Sequence, residues 1–249
     1  MQKLILLVDP GGIDKALLEF ASLLASLGNV HLHGLFLHSD KPVAGQDSKK
    51  QFLGYFKNQS PRVIPGVSDA FTNDQIIEET RFADAIIISA DATFNGSPKA
   101  TPSRLTAYIL KNAECPVIVA PLSSLPIDEV VFAYDGSPSS VFAAKEFTRV
   151  FPQFEDKKVT FLEVKSDGSS SISHQEKFTD YLKMHYSSIG YRVLHGEAEN
   201  ELFGYFLEKK NTFLVLGAFS RSPVSTLIHR SSASLLLKTT SLPLFIAHR

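Results

Sequence analysis

Continuous apolar runs alternate along this chain with segments whose apolar positions recur at helical spacing. The first run, Leu4–Val8, has no polar interruption, as expected of a parallel strand buried on both faces. Asp9-Pro10-Gly11-Gly12 turns the chain, and Leu17, Leu18, Leu24 and Leu27 then predict a helix over Asp14–Leu27. Gly28-Asn29 stops it. Leu32–Leu37 reads as the second strand, and a helix is centred on Phe52 and Phe56. Arg62–Ile64 reads as a short strand closed by Pro65-Gly66. Asp74–Phe82 predicts a helix, Ala85–Ser89 a strand, Ser103–Asn112 a helix and Pro116–Ala120 the fifth strand.

The same order then returns. Strand Val130–Tyr134 leads to helix Ser139–Val150 and strand Val159–Val164. Helix Gln175–Ser188, strand Arg192–Leu194, helix Glu199–Lys209 and strand Phe213–Leu216 follow. Helix Ser231–Thr239 and strand Leu244–Ala247 complete the second series. Asp9 corresponds to Asp135, Phe20 to Phe147, Lys111 to Lys238, and Pro116–Ala120 to Pro243–Ala247, each about 126 to 127 positions apart. The Pro- and Ser-bearing stretch Pro121–Pro126 separates domains at 1–121 and 127–249. Alternating strands and helices predict an α/β fold: two tandem flavodoxin-like or Rossmann-like domains, each a five-stranded parallel sheet with helices on both faces. Periodicity leaves the strand order open, and the flavodoxin-like order is the default expectation.

Composition changes this picture little. The chain has 249 residues, a net charge of -1 and one cysteine, Cys115, which excludes an intrachain disulfide. The near-neutral balance gives no basic surface for nucleic acid. No apolar stretch reaches membrane-spanning length, and the run Leu4–Val8 is too short for a signal-peptide core. The expectation is a cytoplasmic protein with no nucleic-acid or membrane partner.

Ligands of open parallel sheets bind beyond the carboxyl ends of the strands. In the second half two segments should meet there: Tyr134-Asp135-Gly136-Ser137, and the loop and helix start from Gly217 through Ser220, Arg221, His229, Arg230, Ser231 and Ser232. A helix N-terminus presents unpaired N–H groups that suit phosphate. Serine hydroxyls add donors, and Asp135 can accept from a ribose or an adenine. The structural alternative makes Ser231 and Asp135 helix caps and the arginines solvated.

These residues resemble those of the universal stress protein family, in its tandem-domain form. The resemblance rests on Ala133-Tyr134-Asp135-Gly136-Ser137, Leu216-Gly217, Ser231-x-x-x-Leu235-x-x-Lys238 and Leu242-Pro243-Leu244-Phe245-Ile246. Val8-Asp9, Lys111 and Cys115-Pro116-Val117-Ile118-Val119 repeat the frame in the first half. ATP-binding members carry a phosphate loop of pattern G-x-x-G-x9-G-[ST]. Gly217 holds its first position, Ser220 and Arg230 replace the other two glycines, and Ser231 holds the hydroxyl position. Asp135 matches the family's nucleotide-contacting acid, and Val164 falls near its adenine side. The resemblance therefore implies Asp135, Ser137, Val164, Gly217, Ser220, Arg230, Ser231 and Ser232 as binding residues for Mg-ATP or another phosphate ligand. In the first half Ser89 replaces the leading glycine and Asp91 brings negative charge, so no nucleotide is expected there. Family dimers pair their last strands, which implies a pseudo-dimer within this chain through Val117–Val119 and Leu244–Ile246, with a further homodimer open.

Other signals lack a complete constellation. Pro10-Gly11-Gly12-Ile13-Asp14-Lys15 faintly resembles the loop of ATP pyrophosphatases, with both hydroxyl positions changed. His31 and His33 read as polar residues at a strand entrance, not as a metal site. Ser137 with His174, His185 or His195 lacks a nucleophile elbow, and no catalytic residue is assigned. The expected function is a non-catalytic stress-response or regulatory protein with a nucleotide site in the second half. A ligand-free module for an unidentified protein partner is the alternative, and ATP hydrolysis a third.

Overall fold

The computed structural model describes residues 1–38, 45–57, 62–95, 101–123, 126–166, 168–217 and 242–247. The chain divides into two compact units, Met1–Ser124 and Leu125–Arg249. Unit 1 runs β1 (Gln2–Val8), α1 (Lys15–Ser26), β2 (Val30–Leu37), α2 (Gly45–Lys57), β3 (Val63–Ala70), α3 (Asn73–Thr80), β4 (Ala85–Ile88), α4 (Arg104–Asn112) and β5 (Val117–Val119). Unit 2 runs β6 (Glu129–Ala133), α5 (Pro138–Val150), β7 (Lys158–Lys165), α6 (Gln175–Lys183), β8 (Ser188–His195), α7 (Ala198–Leu207), β9 (Thr212–Gly217) and β10 (Leu244–Ala247). A short 3-10 turn, Pro152–Phe154, follows α5.

All strand pairs within each unit are parallel. The order is β3-β2-β1-β4-β5 in unit 1 and β8-β7-β6-β9-β10 in unit 2. The expected fold class therefore stands, and the repeat is a repeat of topology. The order is the Rossmann type, with the first strand central, and not the flavodoxin-like default. Nothing in strand periodicity encodes that choice, because each strand reads alike on either side of its neighbour.

Two strands are longer than the hydrophobic pattern implied. β3 spans Val63–Ala70 and includes Pro65 and Gly66, which read as its terminator. It ends the unit 1 order, where proline is tolerated because no neighbour needs its N–H. Likewise β8 spans Ser188–His195, and α6 ends at Lys183, earlier than its apolar spacing suggested. Both are outer strands of mixed polarity, so the buried-strand signal is missing from their sequence. The expected helix Ser231–Thr239 lies outside the described residues.

Neighbouring positions on β6 show helices on both faces. Phe132 meets Phe147 of α5, ring centroids 5.7 Å apart. Ala133, pointing the other way, lies with Leu162 of β7 and Leu202 of α7. Phe147 is the hub of the unit 2 core. It is fully buried and meets Phe151, Phe154, Phe213 and Phe245 at centroid distances of 5.3, 5.7, 5.1 and 5.2 Å. Phe213 and Phe245 sit on β9 and β10, so one helix residue ties three strands together. Phe147→Ala is expected to cost about 3–5 kcal/mol, read as a lower denaturant midpoint in urea. A loss under about 1 kcal/mol would show that the surrounding rings close over the gap.

Candidate functional site

The turn after β6 is built from local chemistry. Gly136 sits at φ +72, a left-handed position that a side chain disfavours. Asp135 Oδ1 accepts from the Ser137 N–H at 3.0 Å, which closes the turn. Ser137 Oγ accepts from the Ser140 N–H at 3.2 Å and caps α5. The helix cap expected of Asp135 therefore belongs to Ser137, with Pro138 at the first helical position. Ser137 spends its hydroxyl on the helix start.

A partly buried ion pair holds the neighbouring loop against this turn. Glu163 is 5% exposed at the end of β7. It accepts from the Ser173 N–H at 2.8 Å and from Ser173 Oγ at 2.7 Å. Lys165 Nζ lies 3.5 Å from the Glu163 carboxylate and donates to Ser173 Oγ at 3.2 Å. A Cβ on Gly136 would lie 3.0 Å from Ser173 Cβ, so the two loops touch at the glycine. The Tyr134 hydroxyl is pushed up to about 12, first by burial and then by the charges of Glu163 and Asp135. Glu163 was missed in the sequence because Val159–Val164 reads as one apolar run, and Lys165 and Ser173 because they follow it into a Ser- and Gly-rich stretch that reads as a loop. The charge at Glu163 inside that run was the available signal.

Gly217 ends β9 against the start of α5. A Cβ there would lie 2.6 Å from the Ser139 carbonyl carbon and oxygen and from the Ser140 nitrogen. The glycine is required for this backbone approach, whatever binds nearby. It brings the end of β9 beside the Asp135–Ser137 turn. On the α7 face, Asp135 and Val164 line a cleft of about 30 Å³ with Ala133, Tyr134, Leu162, Ala198 and Leu202. Four of the proposed residues, Asp135, Ser137, Val164 and Gly217, thus gather at the carboxyl ends of β6, β7 and β9. Ser220, Arg230, Ser231 and Ser232 lie outside the described residues.

In the equivalent corner of unit 1 the acid is held by the segment after β4. Asp9 accepts from the Thr93 N–H with both carboxylate oxygens, at 3.2 Å each. That draws the loop after β4 onto the acid. Burial pushes the Asp9 carboxyl up to about 7; the Thr93 bond opposes this and the Asp91 charge adds to it. Thr93 Oγ1 is buried with no hydrogen-bond partner among the described residues.

At the opposite end of unit 2, a cavity of about 520 Å³ is lined by Lys158, Thr160, Arg192, Tyr205 and Lys209. Its two lysines are committed to Glu129, at 2.9 Å from Lys158 Nζ and 2.7 Å from Lys209 Nζ. Burial alone would raise the Glu129 carboxyl, yet hydrogen bonds from Lys209, Thr160 and Lys158 hold it down at about 2. No described helix is long and apolar enough to cross a membrane.

Two consequences are measurable. Gly217→Ala is expected to destabilise unit 2 by about 1–3 kcal/mol through overpacking, read by chemical denaturation without ligand; an unchanged midpoint would place the glycine's role in ligand contact alone. Asp9 binds its proton more tightly folded than unfolded, so its contribution to stability falls between about pH 4 and pH 7 and stays low above. Asp9→Asn keeps an oxygen acceptor for Thr93 and removes that loss. Its melting midpoint should exceed the parent's at pH 8, with the gap closing towards pH 4. A gap of the opposite sign at pH 8 would make the carboxylate a stabilising group.

No protein-family model matches the sequence. No curated protein matches it either. Solved structures do. A universal stress protein from Archaeoglobus fulgidus DSM 4304 superposes with a TM-score of 0.68 at 15% identity, covering 98% of this chain and 96% of that one. A candidate universal stress protein from Pseudomonas aeruginosa UCBPP-PA14 superposes with a TM-score of 0.64 at 14% identity, covering 100% and 93%. A protein of unknown function from Pseudomonas aeruginosa PAO1 gives 0.66 at 12% identity, covering 100% and 92%. The fold of this chain, carried once in each unit, is that of the universal stress proteins.

Proposed function

We propose that the chain is a non-catalytic stress-response or regulatory protein that takes ATP or another phosphate-bearing ligand at the carboxyl end of the unit 2 sheet. One observation carries this reading: Asp135 and Val164 share one cleft, beside the point where Gly217 meets the start of α5. Asp135 is an acceptor for a ribose or base, and Val164 with Leu162 offers an apolar wall. The first crevice is not a second copy of this site. Its acid already holds the Thr93 N–H, and Asp91 adds negative charge next to it.

The size of the cleft favours a second reading. At about 30 Å³ it falls far below the several hundred Å³ of an ordinary small-molecule site. A base needs more room than these lining residues leave between them. A ligand-free module that binds a protein partner needs none.

Thermal unfolding with and without Mg-ATP separates the two, with AMP and inorganic phosphate as comparisons. Ligand at a hundred times its dissociation constant adds about 2.7 kcal/mol, which moves the midpoint by roughly several degrees in a protein of this size. The nucleotide reading expects that shift, and its loss in Asp135→Ala. No shift with any nucleotide, in a well-folded protein, supports the partner-binding reading. Phosphate release above the blank would overturn the non-catalytic assignment.

A further inference from the structure

His31 and His33 are alternate residues of β2 and so lie on one face of it. On β3, Gly66 stands opposite His33. A Cβ on Gly66 would lie 2.9 Å from His31 Nε2 and 2.9 Å from His33 Nδ1. Both imidazoles therefore bring a ring nitrogen to the same place, over Gly66, which has no side chain to fill it. The rings stand edge to face, 86° apart with centroids separated by 5.9 Å. They are half-buried, within reach of water.

The hydrogen bonding of His33 engages its other ring nitrogen. His33 Nε2 lies 2.8 Å from Ser68 Oγ, two residues beyond Gly66 on β3. With Nε2–H donating to that hydroxyl, Nδ1 keeps its lone pair facing the gap, the outer support that metal-binding histidines ordinarily have. Lys3 stands opposite His31 on β1, and its ammonium is paired with Glu79 at 3.4 Å, which offsets a charge that would repel a cation. Unit 2 provides an internal comparison. There the same register sets Thr160 against Gly190, where a Cβ would meet nothing closer than 3.7 Å. A side chain at 190 would find ordinary room, whereas one at 66 would have to displace both imidazoles.

We propose that His31 Nε2 and His33 Nδ1 form a two-imidazole chelate for a late first-row divalent ion, outward of Gly66, with water completing the coordination. The site is independent of the nucleotide reading: it lies in the other unit, towards the amino end of its strand. Among the described residues no group of three or more His, Cys, Asp or Glu is arranged around a metal. That rules out, for those residues, a closed four-ligand structural zinc centre. A two-nitrogen site should follow the general order for imidazole donors, with Cu²⁺ above Ni²⁺ and Zn²⁺, and Mg²⁺ not bound.

The experiment is calorimetric titration of the full chain at pH 7.5 with Cu²⁺, Ni²⁺, Zn²⁺ and Mg²⁺, in a buffer that does not chelate. The variants are His31→Gln, His33→Gln, the double variant and His38→Gln, each checked for fold by circular dichroism. The expected result is a Cu²⁺ and Ni²⁺ site at one ion per chain. Either single substitution should weaken it at least tenfold, and the double variant should lose it. His38→Gln, outside the pair, should leave it unchanged. Copper resonance spectra should report nitrogen ligands in the parent that are missing in the double variant. Gly66→Ala should weaken the site with both histidines still present, because its methyl group claims the gap. Parent-like affinity in the folded double variant, Mg²⁺ binding as tightly as Ni²⁺, or no Cu²⁺ binding by the parent would overturn the proposal.

Discussion

A parallel strand covered on both faces has nowhere along its length to keep a polar side chain unless that chain is fully paired. The central strands obey this. Leu4–Val8 of β1 and Val130–Ala133 of β6 are buried from end to end. Chemistry is thereby pushed to the strand ends, and each end carries its own kind. Asp9 and Asp135 follow the carboxyl ends of β1 and β6, while Lys3 and Glu129 stand at the amino ends. Glu129 shows the cost of an exception. It is buried, and it persists with two lysines and a threonine hydroxyl on its two oxygens.

The duplicated frame makes the divergence of the two units interpretable. In both, an acid follows the first strand. In unit 1 the segment after β4 sets its Thr93 N–H onto Asp9, and in unit 2 Asp135 accepts from the Ser137 N–H of its own turn and lines a cleft with Val164. At the amino ends the exchange is equally local. The register that sets His33 against Gly66 in unit 1 sets Thr160 against Gly190 in unit 2. One frame thus presents imidazoles in one copy and a lysine–glutamate–lysine cluster in the other.

The unit 2 site depends on packing remote from it. Phe147 holds α5 on β6, β9 and β10 through Phe132, Phe213 and Phe245. With the helix body fixed, its first turn comes so close to the end of β9 that only glycine fits at 217. The same glycine that a phosphate loop would begin with is already required by the fold. Its presence in the sequence is thus a weaker sign of ligand than it looks.

The sequence by itself determined the element order, the repeat and the α/β class, because long buried strands and amphipathic helices write their period directly into apolar positions. It also determined which acids and glycines would stand at strand ends, since Asp9, Asp135 and Gly217 each close an apolar run. It could not determine the strand order, which depends on which neighbours each strand chooses. It undercounted β3 and β8, whose mixed faces carry no buried-strand signal. It read Glu163 through as part of an apolar run. Only the tertiary structure brought Ser173 onto Glu163, Thr93 onto Asp9 and Gly66 between two imidazoles. Those contacts join residues 10, 84 and 33 to 35 positions apart. Such pairings follow from sheet register and helix packing, which act between segments and leave no period within one.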